Sequence, residues 1–247
     1  MTDLSAKQKL SNFVFRHKPL RMAKAYFESA PALAGAETCS TKEWSQHGED
    51  PVLCDLLKDH LKDGYYVDVG ANHPLRRSNT YRLYCQGMRG ITVEPNLELH
   101  MLQRQIRPDD THLGAGVAAE AGLLVFYEFN YHVFSTYSRE DCDNILADES
   151  NIGAELLATN PMPVFPLSQI LDDCRPADRE TFALLSVDTE GLDLQVLESN
   201  DWKKYPPLYV IAEANDAESG EEITAYLETK GYKPINTFEV NTLYTKA

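Results

Sequence analysis

The feature that most restricts how this chain can fold is a set of short apolar runs that each stop on an acid. "YYVDVG" (65–70), "GITVEPN" (90–96), "FALLSVDTEG" (182–191) and "PLYVIAEAN" (207–215) are short and almost unbroken by polar residues. Such runs suit strands buried on both faces, as in a parallel sheet covered by helices. The intervening "NTYRLYCQGM", "LELHMLQRQIR" and "GLDLQVLESNDW" read as helices, with Asn96 capping the second. Strand and helix therefore alternate, which predicts an α/β fold with a mostly parallel central sheet and helices on both faces. "INTFEVNTLYTKA" adds an antiparallel C-terminal strand pair.

Other segments fill in this frame. Before the first strand, Asp50 and Pro51 predict an N-cap and first turn. Val52, Leu53, Leu56, Leu57 and Leu61 then share one helical face, and Gly64 stops the run. "GEEITAYLETKGY" is an amphipathic helix closed by Gly231, whereas "LLVFYEFNYHVF" (123–134) is aromatic and partly alternating, like antiparallel strand or lid material. Residues 1–40 read as a basic helical extension and linker, with Lys7, Lys9, Arg16, Lys18, Arg21 and Lys24 set against Asp3. The main domain is expected at 41–247.

Composition excludes several classes. A net charge of -15 offers no positive field for phosphate backbones, so non-specific nucleic-acid binding loses its main driving term. Peripheral contact with an anionic membrane, or with a partner, is left to residues 1–24. Five cysteines, far apart and without a C-x-x-C pair, indicate neither a disulfide framework nor a thiolate zinc site. No apolar run is long enough to span a bilayer. The expectation is a cytoplasmic protein, its oligomeric state open.

In an open parallel sheet, ligands bind beyond the carboxyl ends of the strands, where strand order reverses. Asp68, Glu94, Asp188 with Glu190, and Glu213 all stand at such ends. Gly70 would let the backbone approach a ligand, and Ala71 keeps the wall small. The G-x-G-x-x-G fingerprint is missing, which disfavours a pyrophosphate and hence a nicotinamide dehydrogenase. An acid ending the second strand can accept both hydroxyls of a ribose. A ribose without phosphate, joined to a cationic group that faces acids, describes S-adenosylmethionine.

"SQHGED" (45–50), "YVDVGANHPLRRSNTYRLYCQGMRGITVEPN" (66–96), "FSTYS" (134–138) and "LLSVDTEGLDLQVLESNDW" (184–202) together resemble the FkbM-type methyltransferases in order and spacing. The resemblance implies a Rossmann-like class I fold, S-adenosylmethionine as cofactor, and O-methylation of a sugar hydroxyl on a glycan, polysaccharide or glycosylated natural product. N-methylation of an amino sugar and a non-catalytic scaffold are the alternatives. It also implies that Asp68, Gly70, Ala71 and Asn72 line the methionine end of the cofactor and Glu94, with Asn96, its ribose. Gln46, Asp50, Ser78, Asn79 and Thr80 would close the pocket, and Asp188 and Glu190 would stand beside sulfonium and acceptor. His73, on the rim with an ordinary pKa near neutrality, is the expected base. Asp188 is the other choice or its orienter, and His47 and His132 are weaker ones. Asp188, Glu190 and Asp193 fit helix N-terminal acids as well as magnesium ligands, and no metal is expected. Arg76 and Arg77 could meet an acidic acceptor.

Overall fold

The structure is a computed structural model that describes residues 23–24 and 43–247, except 149, 152 and 215. Apart from residues 23 and 24, the expected extension at 1–40 lies outside the described residues.

Helix α1 (Glu49–Leu56) begins two residues before the expected position, on Gly48 in the left-handed region, and passes into a 3₁₀ turn at Lys58–His60. Asp50 is thus inside the first turn rather than its N-cap. Strand β1 (Gly64–Val69) is buried at every residue, as a two-sided core strand requires. Then come α2 (Tyr81–Cys85), β2 (Arg89–Val93), α3 (Leu97–Ile106), β3 (Thr111–Leu113) and β4 (Gly116–Val117). Asn96 does cap α3, accepting from the backbone N–H groups of Glu98 and Leu99. After β5 (Gly122–Phe129) follow α4 (Arg139–Ala147), β6 (Leu156–Phe165), α5 (Leu167–Cys174), β7 (Thr181–Val187), α6 (Asp193–Glu198) and β8 (Tyr209–Glu213). Helix α7 (Ala217–Thr229), closed into a capping box by Asp216 and Ser219, leads to β9 (Tyr232–Phe238) and β10 (Asn241–Lys246).

The described residues belong to two compact units. The larger holds a seven-stranded sheet in the order β3-β2-β1-β7-β8-β10-β9. β1, β2, β3, β7 and β8 run parallel, and β10 is antiparallel to both its neighbours. Counting only this sheet's strands, the order is 3-2-1-4-5-7-6, and it reverses between β1 and β7. That is the Rossmann-like class I methyltransferase architecture, and the reversal is where a ligand crevice opens. Two apolar clusters cover the two faces. Tyr65, Val67, Val69, Ile91, Leu185 and Val210 pack with Leu171 of α5, Val196 of α6 and Ile223 of α7. Tyr66, Leu184, Ile211 and Leu243 pack with Leu53 of α1 and Leu83 of α2.

The other unit includes Leu124–Pro161. Its aromatic strand β5 neighbours β6, with Tyr127 in an isolated antiparallel bridge to Thr136, and Phe126 and Phe129 are spent on internal packing. The fully buried Asn130 takes N–H groups of Tyr131 and Glu155 on Oδ1 and donates to the Gly153 carbonyl. β6 carries Pro161 and Pro163, residues that count against a strand in sequence, and it went unexpected.

Cys85 is disulfide-bonded, a pairing that the spacing of the five cysteines does not indicate. Among the described residues no helix is long and apolar enough to cross a membrane.

Candidate active site

Strand register places the acids. Val69 pairs with Val93 and with Val187, and Val187 pairs with Ala212. One residue further on, Glu94, Gly70, Asp188 and Glu213 therefore stand level across β2, β1, β7 and β8. Asn241 of β10 extends the row, because it pairs with Glu213. One step back, Thr92, Asp68, Ser186 and Ile211 form a second row. Side chains alternate along a strand, so both rows face the side packed by α1 and α2.

Gly70 holds the centre of the first row with φ 77°. A Cβ there would lie 1.7 Å from the Asp188 carbonyl oxygen, so this glycine is demanded by the neighbouring strand rather than by a ligand. The turn is stitched to both sides: Gly70 N–H and Ala71 N–H reach the Val93 carbonyl, and Asp188 N–H reaches Val69. Asn72 and Glu190 also have positive φ, 44° and 52°, as do Arg77 and Glu239, so two of the four such non-glycine positions among the described residues stand at the tips of β1 and β7.

Glu94 is buried, and each carboxylate oxygen accepts one backbone N–H: Oε2 from Asn72 and Oε1 from Asn96, both at 2.7 Å. A carboxylate has about four acceptor positions, so about two stay open. Burial is the main cause that pushes its pKa up to about 7, against the pull of those two bonds. Asp68 is committed inward: it accepts from Thr80 Oγ1 and lies 3.9 Å from the buried Arg107 guanidinium. Its carboxyl is raised by burial, and Arg107, Thr80 and Ser186 pull it back.

The expected pocket-closing residues divide. Asp50 is fully buried and accepts from Trp44 N–H and Ser45 Oγ, with Arg82 3.9 Å away. It caps the chain entering α1. Ser78 accepts from Tyr81 N–H and Arg107, Asn79 donates to Ser186 at 3.4 Å, and Thr80 bridges Arg107 to Asp68. These four are buried in the protein's own network. Gln46 is exposed. His73 Nδ1 accepts backbone N–H groups from Leu75 and Arg76, at 3.1 and 3.2 Å. A ring with Nδ1 so occupied carries its proton on Nε2, which makes it a donor and not a base. Arg76 and Arg77 are exposed.

At the tips of β7 and β8, carboxylate oxygens of Asp188, Glu190 and Glu213 lie within 4.8 Å of one another. Three carboxylates at this spacing either surround a cation or share protons. Asp188 is pushed well above the usual carboxylate range, first by burial, then by Glu213, Glu190 and Asp193. Asp193, for which the sequence leaves a helix N-terminal acid and a magnesium ligand both open, stands in the first turn of α6 and accepts Thr189 and Gly191 N–H groups, and burial lifts it to about 6. Glu213 was noticed as an acid at a strand end but assigned no role; only its register beside Asp188 gives it one.

The family profile of the FkbM methyltransferase domain matches residues 68–234. No protein of curated function matches. Among solved structures the chain is similar to a TehB-like S-adenosylmethionine-dependent methyltransferase from Corynebacterium glutamicum, at 11% identity over 93% of this chain and 100% of that one, TM-score 0.42. It is also similar to an O-methyltransferase from Bacillus cereus, at 10% identity over 90% and 91%, TM-score 0.41.

Proposed function

Because the chain belongs to the FkbM methyltransferase family, we propose that it transfers a methyl group to a sugar hydroxyl of a glycan, polysaccharide or glycosylated natural product. The methyl donor is S-adenosylmethionine, which when bound supplies an activated methyl on a sulfonium. The observation that carries this reading is the level row of Glu94, Gly70, Asp188 and Glu213 at the point where strand order reverses. The donor set fits such a guest: Glu94 keeps acceptor positions for ribose hydroxyls, and the acids around Asp188 suit a cation. Asp68, one row deeper, adds buried negative charge beneath them.

The two backbone N–H groups on His73 Nδ1 count against that ring as the base, and we assign the role to Asp188. Glu213 beside it keeps the carboxyl's proton affinity high, as removal of a hydroxyl proton requires. Asp188 would take that proton as the methyl carbon exchanges its bond to sulfur for the new bond to oxygen, the sulfur leaving as a neutral thioether. Glu190, on a strained backbone next to Asp188, completes the acidic wall that an acceptor would meet.

Incubating the purified chain with S-adenosylmethionine and fractionated polysaccharides, then reading products by mass spectrometry, tests the proposal. The expected product carries one added methylene on oxygen, and Asp188→Asn lowers turnover by about 10²- to 10⁴-fold with cofactor still bound. A methyl group found on nitrogen would move the reading to an amino sugar; cofactor binding without turnover would make the chain a scaffold.

A further inference from the structure

Helix α3 buries an unusual face. Leu99, Leu102 and Ile106 are apolar as expected, but Gln103 and Arg107, one turn apart on the same side, are both fully buried. Every hydrogen bond that their side chains make goes to one segment, residues 71–80. Gln103 Nε2 donates to the carbonyls of Ala71 and Asn72, at 3.2 and 2.9 Å. Arg107 donates to the Pro74 carbonyl, to Ser78 Oγ and to Thr80 Oγ1, at 3.0, 2.6 and 2.9 Å. The helix end is itself pinned: His112 Nε2 bonds the Arg107 carbonyl at 2.7 Å, and its Nδ1 meets Thr92 Oγ1 of β2.

As a source of stability this pair is poor. Gln103 Oε1 and Arg107 Nε are buried without a hydrogen-bond partner among the described residues, and unpaired buried polar atoms are costly. The nearest carboxylate, Asp68, is 3.9 Å from Arg107, too far for a charge-assisted hydrogen bond. A buried ion pair replaced as a whole by apolar residues of equal volume often loses no stability, whereas removing one partner alone is costly. What an apolar pair cannot supply is five directed bonds onto a segment that has no regular structure between β1 and α2.

We infer that Gln103 and Arg107 are positioning residues for cofactor binding, a clamp that holds residues 71–80 in their binding shape before the ligand arrives. The inference rests on the reading of the β1 tip as part of the cofactor site. Pre-ordering of this kind raises affinity because the loop's ordering is not charged to the binding step. The two side chains act at a distance, through Thr80 on Asp68 and through Asn72 on Glu94.

The test compares Gln103→Met, Arg107→Met and Arg107→Lys with the parent chain. It uses calorimetric affinity for S-adenosylmethionine, urea unfolding, and amide exchange of the ligand-free protein. Gln103→Met is expected to unfold near the parental midpoint and Arg107→Met, which strands Asp68, at a lower one; the folded form of each should bind the cofactor about 10- to 100-fold more weakly, with kcat at saturating cofactor close to parental. Exchange should quicken at Asn72, Leu75 and Ser78, while Val67 and Val69 stay protected. Arg107→Lys, which keeps the charge but loses the fork, should fall between. Parental affinity and parental loop exchange in both methionine variants would overturn the clamp. Should Arg107→Met fail to fold, Gln103→Met and Ser78→Ala put the same question. If the parent chain binds no cofactor, the functional reading fails by itself, and unchanged loop exchange in the variants then decides against the clamp separately.

Discussion

On the side of the main sheet packed by α5, α6 and α7, the strands stay apolar to their tips, where Val69, Val93, Val187 and Ala212 join one cluster. On the side packed by α1 and α2, the same four strands turn polar over their last positions. Thr92, Asp68 and Ser186 are followed there by Glu94, Gly70, Asp188 and Glu213. Both sides are built from the same backbone, and alternation alone hands one residue to the core and the next to the site. The apolar side fixes where the strands stand; the polar side decides what the tips can bind. A defect on the first side should therefore appear as lost stability, and a defect on the second as lost affinity or turnover.

The sharpest separation comes at the centre of the row. Gly70→Ala meets the Asp188 carbonyl and an unfavourable φ together, and is expected to destabilise by about 3 kcal/mol or more and to abolish cofactor binding. Leu185→Ala, on the apolar side, should destabilise by about 2–5 kcal/mol and leave the cofactor dissociation constant of the folded protein unchanged. Urea titration and calorimetry on both variants check this; weakened binding in Leu185→Ala would break the division between the sides.

Glu94 gives the next largest effect. Glu94→Gln should weaken cofactor binding about 10- to 100-fold, the value of a hydrogen bond to a charged group. It should also remove a pH dependence. The carboxyl's folded value, about 7, lies above its ordinary 4.5, so its contribution to the ligand-free fold is complete below 4.5 and is lost as pH rises through 7. Ribose hydroxyls prefer the ionised form, so affinity runs the other way and climbs over the same interval. His112, lowered to about 4 chiefly by burial, takes up protons on unfolding near its ordinary 6.5 and opposes the Glu94 slope there, so Glu94→Gln, which keeps His112, is the baseline. In thermal melts from pH 6.5 to 8, the parent-minus-Glu94→Gln difference in stability should fall with pH without cofactor and stay nearly flat with cofactor bound.

Glu213→Gln should produce the smallest change, about a tenfold fall in kcat/KM with a displaced pH profile. Taking away one negative neighbour lowers the Asp188 pKa, so the acidic limb of the profile moves to lower pH. A profile that stays in place would remove Glu213 from the chemistry and leave it a wall of the site.

Much of the apolar side was legible in the chain. Runs such as "YYVDVG" need only local composition to be read as two-sided strands, and Asn96 sits where a helix start demands a cap. The polar side was legible only as a set of residue types. Nothing local distinguishes Glu94, with acceptor positions open toward a ligand, from Asp50, whose oxygens are taken by Trp44 and Ser45. His73 had the right place and ordinary pKa for a base, yet two backbone N–H groups occupy the nitrogen it would use. Gln103 and Arg107 carried no signal, because a polar residue on a helix is ordinarily solvated.

The amino-acid order by itself determined the alternation of strands and helices, the acids at the strand ends and the glycine between them, because these follow from periodicity and backbone preference within a few residues. Tertiary structure decided which acids stand level, which polar groups are consumed internally, and which side of the sheet is left to bind. Those outcomes depend on strand register and on partners such as Thr80 for Asp68 or Ser186 for Asn79, 12 and 107 residues apart. A hydrogen bond across such a distance is fixed by the assembled sheet, and no local pattern in the chain encodes it.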